Sequence, residues 1–191
     1  MDATRRVPAR TLHRAARVTL GTSEAALPLM RPILQQQAAE RARAHGAQHV
    51  GTFSAENDLA LSSLADGEDQ AAVDHLQRLA GECAALLGPD HPDTLVVRGN
   101  LAVARLAAGF PRDACAELTD VAVRRARVLG DDHRSTLNAL LALALAHLGA
   151  GREGTASGLL DAVHDAAVAR HGEGDRLAEV CRALLAQRTA A

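Results

Sequence analysis

Residues 87–95 read LGPDHPDTL, and residues 129–137 read LGDDHRSTL. The two stretches stand 42 residues apart, and the same offset carries well beyond them. It aligns Leu101 with Leu143, Ala102 with Ala144, Leu106 with Leu148, Gly109 with Gly151, Ala114 with Ala156, and Leu118 with Leu160. One step towards the N-terminus it meets Gly46, His49, Thr52, Phe53, Leu59, Ala60, Leu64, Gly67, Ala72 and Leu76. One step on, it meets Gly172 and a last helix-like segment from Arg176 to Gln187. Self-similarity at a fixed period of this size marks stacked supersecondary units that bury their apolar faces against one another. The repeat therefore decides the fold class.

Each unit reads as a helical hairpin. Thr94 and Thr136 stand where an N-cap hydroxyl would satisfy free backbone N–H groups. Leu95, Leu101 and Leu106, like Leu137, Leu143 and Leu148, then fall on one helical stripe. Ala60, Ala102 and Ala144 are small where two helices would approach closely. Gly67, Gly109 and Gly151 mark the turn, because glycine tolerates positive φ past a helix end. The second helix carries Ala72, Leu76 and Leu79, then Ala114, Leu118 and Val121, then Ala156, Leu160 and Val163. It stops at Gly88, Gly130 and Gly172, and Pro89 and Pro92 reinforce the following loop. No segment sustains period-two alternation, so no sheet is expected.

Residues 1–45 follow the pattern loosely. A helix from about Ala9 to Leu20 would turn at Gly21, and Ser23 would cap a second, longer helix running to about His45. Pro28 suits a first turn, whereas Pro32 should kink that helix or delay its start. The expected organisation is one all-α domain over residues 1–191, an α-solenoid of antiparallel hairpins. It comprises a divergent first hairpin at 1–45, repeats at 46–87, 88–129 and 130–171, and a capping helix within 172–191. End caps of this kind shield the outermost apolar faces of a solenoid.

Composition narrows the function. The chain of 191 residues is 48% hydrophobic and 23% charged, ordinary for a globular protein and unlike a disordered tail. Phe53 and Phe110 are its only aromatics, which argues against base-stacking platforms and aromatic-lined pockets. All 21 basic residues are Arg, so neither a Schiff-base lysine nor a Walker lysine exists. This usage matches a GC-rich bacterial genome. Arg5, Arg6, Arg10, Arg14 and Arg17 form a basic stripe, read as the solvated face of a helix rather than a phosphate-binding surface. With net charge −2, nucleic acid is not an expected partner. No signal peptide or run of 18 apolar residues is present, and a cytoplasmic location without membrane contact is expected. Cys83, Cys115 and Cys181 read as small buried hydrophobes in a reducing compartment.

The residues LGPDHPDTL at 87–95, NLAVA at 100–104, Gly109 and Ala114 resemble the tetratricopeptide repeat, in the 42-residue variety associated with kinesin light chains. So do LGDDHRSTL, LALA at 143–146, Gly151 and Ala156. The likeness covers 46–171 well, 172–187 partly and 1–45 only by pattern. It implies a right-handed superhelix of helix pairs, the first helix of each lining a concave groove for peptides or partner proteins. Arg105 and His147 stand where the family usually has tyrosine, and Pro111 and Glu153 where Tyr or Phe is common. Packing between hairpins should therefore rest on Leu and Ala and be looser.

On that grid the groove positions are Ser54 and Asp58, Val96 and Asn100, and Asn138 and Ala142. An amide such as that of Asn100 can donate to and accept from a peptide backbone, or simply contact a neighbouring helix. The carboxylate-clamping subset of the family uses several Lys and Asn. That mode is not expected here, with no Lys and with Asp58 in the groove. Arg98 and Arg105 could supply anion contacts if they point inward.

The recurrent Asp90 and His91, and Asp131, Asp132 and His133, fall on successive loops about 10 Å apart, the diameter of a packed helix. That is too far for one metal site, so they are read as bonding loop backbone near a helix start. No nucleophile elbow, zincin, P-loop or dinucleotide-binding motif occurs. The expected function is a non-catalytic scaffold, without metal or cofactor, that binds a peptide or partner helix in its groove. The alternative is a regulatory or sensor subunit related to the repeat regions of bacterial signalling ATPases or transcriptional regulators. Self-association through the end helices stays open.

Overall fold

A computed structural model describes residues 27–189. The expected Ala9–Leu20 helix, its turn at Gly21, the Ser23 cap and the Arg5–Arg17 stripe lie outside the described residues. Among those described there are eight helices and no strand: α1 (Leu27–His45), α2 (Val50–Ala65), α3 (Asp69–Leu87), α4 (Pro92–Ala107), α5 (Pro111–Leu129), α6 (Arg134–Gly149), α7 (Glu153–His171) and α8 (Arg176–Thr189). The starts of α2, α4, α6 and α8 are each 42 residues apart, as are the ends of α1, α3, α5 and α7. The described part of α1 has 19 residues, the length of α3, α5 and α7. Pro32 lies inside α1.

The repeat has a half-period. Seven glycines with positive φ stand at 46, 67, 88, 109, 130, 151 and 172, one every 21 residues, closing each helix in turn. At the end of α2, the Gly67 N–H donates to Leu64 O and the Glu68 N–H to Ser63 O. α4 and α6 end in the same way through Gly109 and Phe110, and through Gly151 and Arg152. This Schellman arrangement needs a left-handed residue that only glycine adopts without strain.

Helix starts correct one sequence expectation. Thr94 and Thr136 are not the N-caps; His91 and His133 are, and His49 before α2. Each imidazole Nδ1 accepts the backbone N–H two residues on: Gly51, Asp93 and Ser135, at 3.1–3.2 Å. Thr52 and Thr136 instead close the loop, their hydroxyls donating to Gly46 O and Gly130 O at 2.8 Å. Asp90 does not bond the loop backbone but pairs with Arg124 and Arg127 of α5.

The core is built from Leu, Ala and Val. Ala60, Ala102 and Ala144 face Ala72, Ala114 and Ala156, all fully buried, and Leu76, Leu118 and Leu160 fill the layer beside them. Each helix packs on its sequence neighbours; in addition α2 touches α4 and α4 touches α6. The first helices of successive hairpins thus approach most closely. The stack curves with α2, α4 and α6 on its inner side and α3, α5 and α7 outside.

Candidate functional site

The inner surface is the face of α2, α4 and α6 turned away from the second helices. Ser54 and Asp58 are exposed on α2, Val96 is exposed on α4, and Asn100 and Asn138 are half-buried on α4 and α6. Five of the six expected groove residues reach the surface. Ala142 does not: it is 3% exposed, its methyl ending below the accessible surface of a helix that is apolar nearly all round.

The groove wall is internally wired. Asn100 Nδ2 donates to Asn57 Oδ1 at 2.8 Å, joining α4 to α2, and Asn57 in turn hydrogen-bonds Asp58. Burial of the Asp58 carboxyl pushes its pKa up, while Asn57 and the charge of Arg41 pull the other way. Asn57 is 8% exposed and has Gly99 and Leu141 as its counterparts in the repeat. The repeat grid held no sign of it, because the position is not shared. Asn100 thus makes the helix-to-helix contact foreseen as its alternative role and keeps spare hydrogen-bonding capacity at the groove.

Beneath the seam of α4 and α6 lies Arg125 of α5, 8% exposed. Its Nη1 donates to Ser135 O at 2.8 Å and its Nη2 to Leu95 O at 2.9 Å. No carboxylate pairs with it among the described residues, and burial lowers its pKa to about 10. Two hairpins earlier in register, Arg41 likewise donates to Gly51 O at 3.0 Å. These arginines clamp the starts of first helices from behind.

Arg98 and Arg105 point away from the groove, towards α5. Arg98 pairs with Glu117 and Asp120 at 2.6 and 2.7 Å. Arg105 lies 3.6 Å from Glu117 and 3.4 Å from Gln77. Burial pushes the Cys83 thiol up to about 11 and the Cys181 thiol up to about 12, and raises that of Cys115. Such thiols stay protonated and inert. Among the described residues no three His, Cys, Asp or Glu converge as metal ligands, and no helix is long and apolar enough to cross a membrane.

No protein-family profile and no curated protein sequence matches the chain. Solved structures do. The kinesin-light-chain nearly identical TPR-like repeats of Podosopora anserina, and a singly substituted form of them, each superpose with a TM-score of 0.65 at 25% identity. Each match covers 100% of this chain and 100% of the other. The 42-residue period, the eight described helices with glycine at their ends and these two neighbours agree: the fold of this chain is a tetratricopeptide-like repeat solenoid of the kinesin-light-chain kind.

Proposed function

We propose that the protein is a non-catalytic scaffold of the bacterial cytoplasm that holds a peptide or partner helix in the groove of α2, α4 and α6. Repeat folds of this kind serve protein interaction in general. The observation that carries the reading is the row of Ser54, Asp58, Val96, Asn100 and Asn138 along the inner face, mixed in polarity and spaced by the repeat. Such a row offers a ligand backbone donors and acceptors, with Val96 as an apolar foothold.

The test is affinity capture from the native cell with the intact chain and with Asp58→Ala, Val96→Ala and Asn138→Ala. A groove ligand should be retained several-fold less by each variant, roughly the 1 kcal/mol or more that marks a contributing interface side chain. Undiminished capture by all three, with unchanged melting temperatures, would overturn the reading. Asn100→Ala also breaks the link to Asn57, so its capture is compared with that of Asn57→Ala.

A further inference from the structure

On the outer side of the solenoid, α3 and α5 flank a cleft of about 550 Å3 floored by α4. Its lining includes Val73, Arg105, Phe110, Asp113, Ala116 and Glu117. We propose that this cleft is a binding site for a small zwitterion, specifically a free α-amino acid with an apolar side chain.

Three observations converge. First, the two arginines of the floor are unequally committed. Arg98 is held at 2.6 and 2.7 Å by two carboxylates, whereas Arg105 has only contacts of 3.4 and 3.6 Å. A guanidinium with five donors and no close acceptor suits an incoming carboxylate, which it can take in bidentate fashion. Second, Asp113 makes no ion pair or hydrogen bond among the described residues, so the same cleft presents an unpaired anion. With one cation and one anion on offer, the complement is a molecule carrying one of each. Third, Phe110 is 47% exposed, with Val73 and Ala116 also in the lining. An apolar side chain laid there would leave water while the two charged ends stay paired. The volume lies within the range of small-molecule sites.

These residues break the repeat together. In register with Arg105, Phe110, Asp113 and Glu117 stand Ser63, Glu68, Ala71 and His75 in the preceding hairpin, and His147, Arg152, Thr155 and Leu159 in the following one. Neither set repeats the combination of cation, anion and aromatic face. The cleft is a property of one interface, not of the solenoid.

The test uses the intact chain, titrated with L-phenylalanine and L-leucine by calorimetry and by amide chemical shifts. N-acetyl-L-phenylalanine, which lacks the ammonium, and phenethylamine, which lacks the carboxylate, are run in parallel. The amino acids should bind with shifts confined to the ends of α3, α4 and α5. Each analogue, and each of Arg105→Gln and Asp113→Asn, should bind at least about tenfold more weakly, the scale of one lost charge-assisted hydrogen bond. No binding by either amino acid at about 10 mM, where even a Kd weaker than 1 mM would register, overturns the proposal. So does equal binding of either analogue to the unaltered chain, or undiminished binding by Arg105→Gln.

Discussion

Arg125 Nη2 lies 3.1 Å from the point that a Cβ on residue 99 would occupy, and residue 99 is glycine. Gly99 sits mid-helix in α4, where alanine would ordinarily be better by about 1 kcal/mol. Here the gain is opposed, because a methyl group would push the guanidinium off Leu95 O. A hydrogen bond from a charged donor contributes about 1.5–3 kcal/mol, so the loss outweighs the gain. Gly99→Ala should therefore lower stability by about 1 kcal/mol in the native chain and raise it by a similar amount in Arg125→Met. Urea denaturation of the four proteins measures the sign change. Gly99→Ala acting alike in both backgrounds would refute the coupling.

The histidine caps make a second prediction. His133 Nδ1 accepts the Ser135 N–H at 3.1 Å, a role usually given to Asn, Asp, Ser or Thr. His133→Ala should cost about 1 kcal/mol, whereas His133→Asn should stay within a few tenths of the native value. Equal losses from both, read from urea midpoints, would show that the imidazole contributes packing rather than a cap.

Those caps also show how far the residues could be read in advance. The recurrence of His91 and Thr94 at 42 residues exposed the unit, and the glycines located its bends. It could not say which of the two side chains capped the helix. That depends on where the first helical turn begins, which is at Pro92, ahead of the threonine. Five groove positions followed from the grid because solvent exposure repeats with the fold. Ala142 failed because exposure also depends on side-chain length, and the Asn100–Asn57 bond stayed hidden because only one hairpin carries it. The outward course of Arg98 and Arg105 is set by Glu117 and Asp120, which belong to one hairpin alone.

Where the expected tyrosine is absent, packing is incomplete. Arg105 borders the outer cleft, and His147, its counterpart, has a buried Nδ1 without a partner. Burial, aided by the charge of Arg152, holds the His147 pKa below its ordinary value of 6.5. The folded state then binds a proton less readily than the unfolded state, so stability is full above that ordinary value and declines as pH falls below it. His147→Leu removes this contribution and leaves the other histidines alone. The melting temperature of the native chain should fall more steeply than the variant's between about pH 7 and pH 5. Parallel profiles would exclude His147 as the source.

The last cap departs from the others in a useful way. Asp175 occupies the register of His49, His91 and His133, and its Oδ1 accepts the N–H groups of Leu177 and Ala178 at 2.9 and 3.2 Å. Both its carboxylate oxygens also accept from Arg134, the first residue of α6, so the cap ties α8 to α6. The Arg134 guanidinium, helped by the two backbone donors, holds the Asp175 carboxyl below its ordinary pKa of 3.8. For a carboxyl lowered by folding, the stabilisation is complete above the ordinary value and is lost as pH falls through the lowered one. Asp175→Asn keeps a capping oxygen and removes the charge, while Asp175→Ala removes both. At neutral pH the Ala variant should be the least stable, by roughly 1 kcal/mol for the cap. The Asn variant should lie between it and the native chain, the ion pair adding less than about 1 kcal/mol because Arg134 is 42% exposed. The gap between native and Asn proteins should close as pH falls below the ordinary carboxyl value, where the native carboxyl also becomes neutral. A gap that is constant from neutral to acid pH would assign the effect to shape rather than charge.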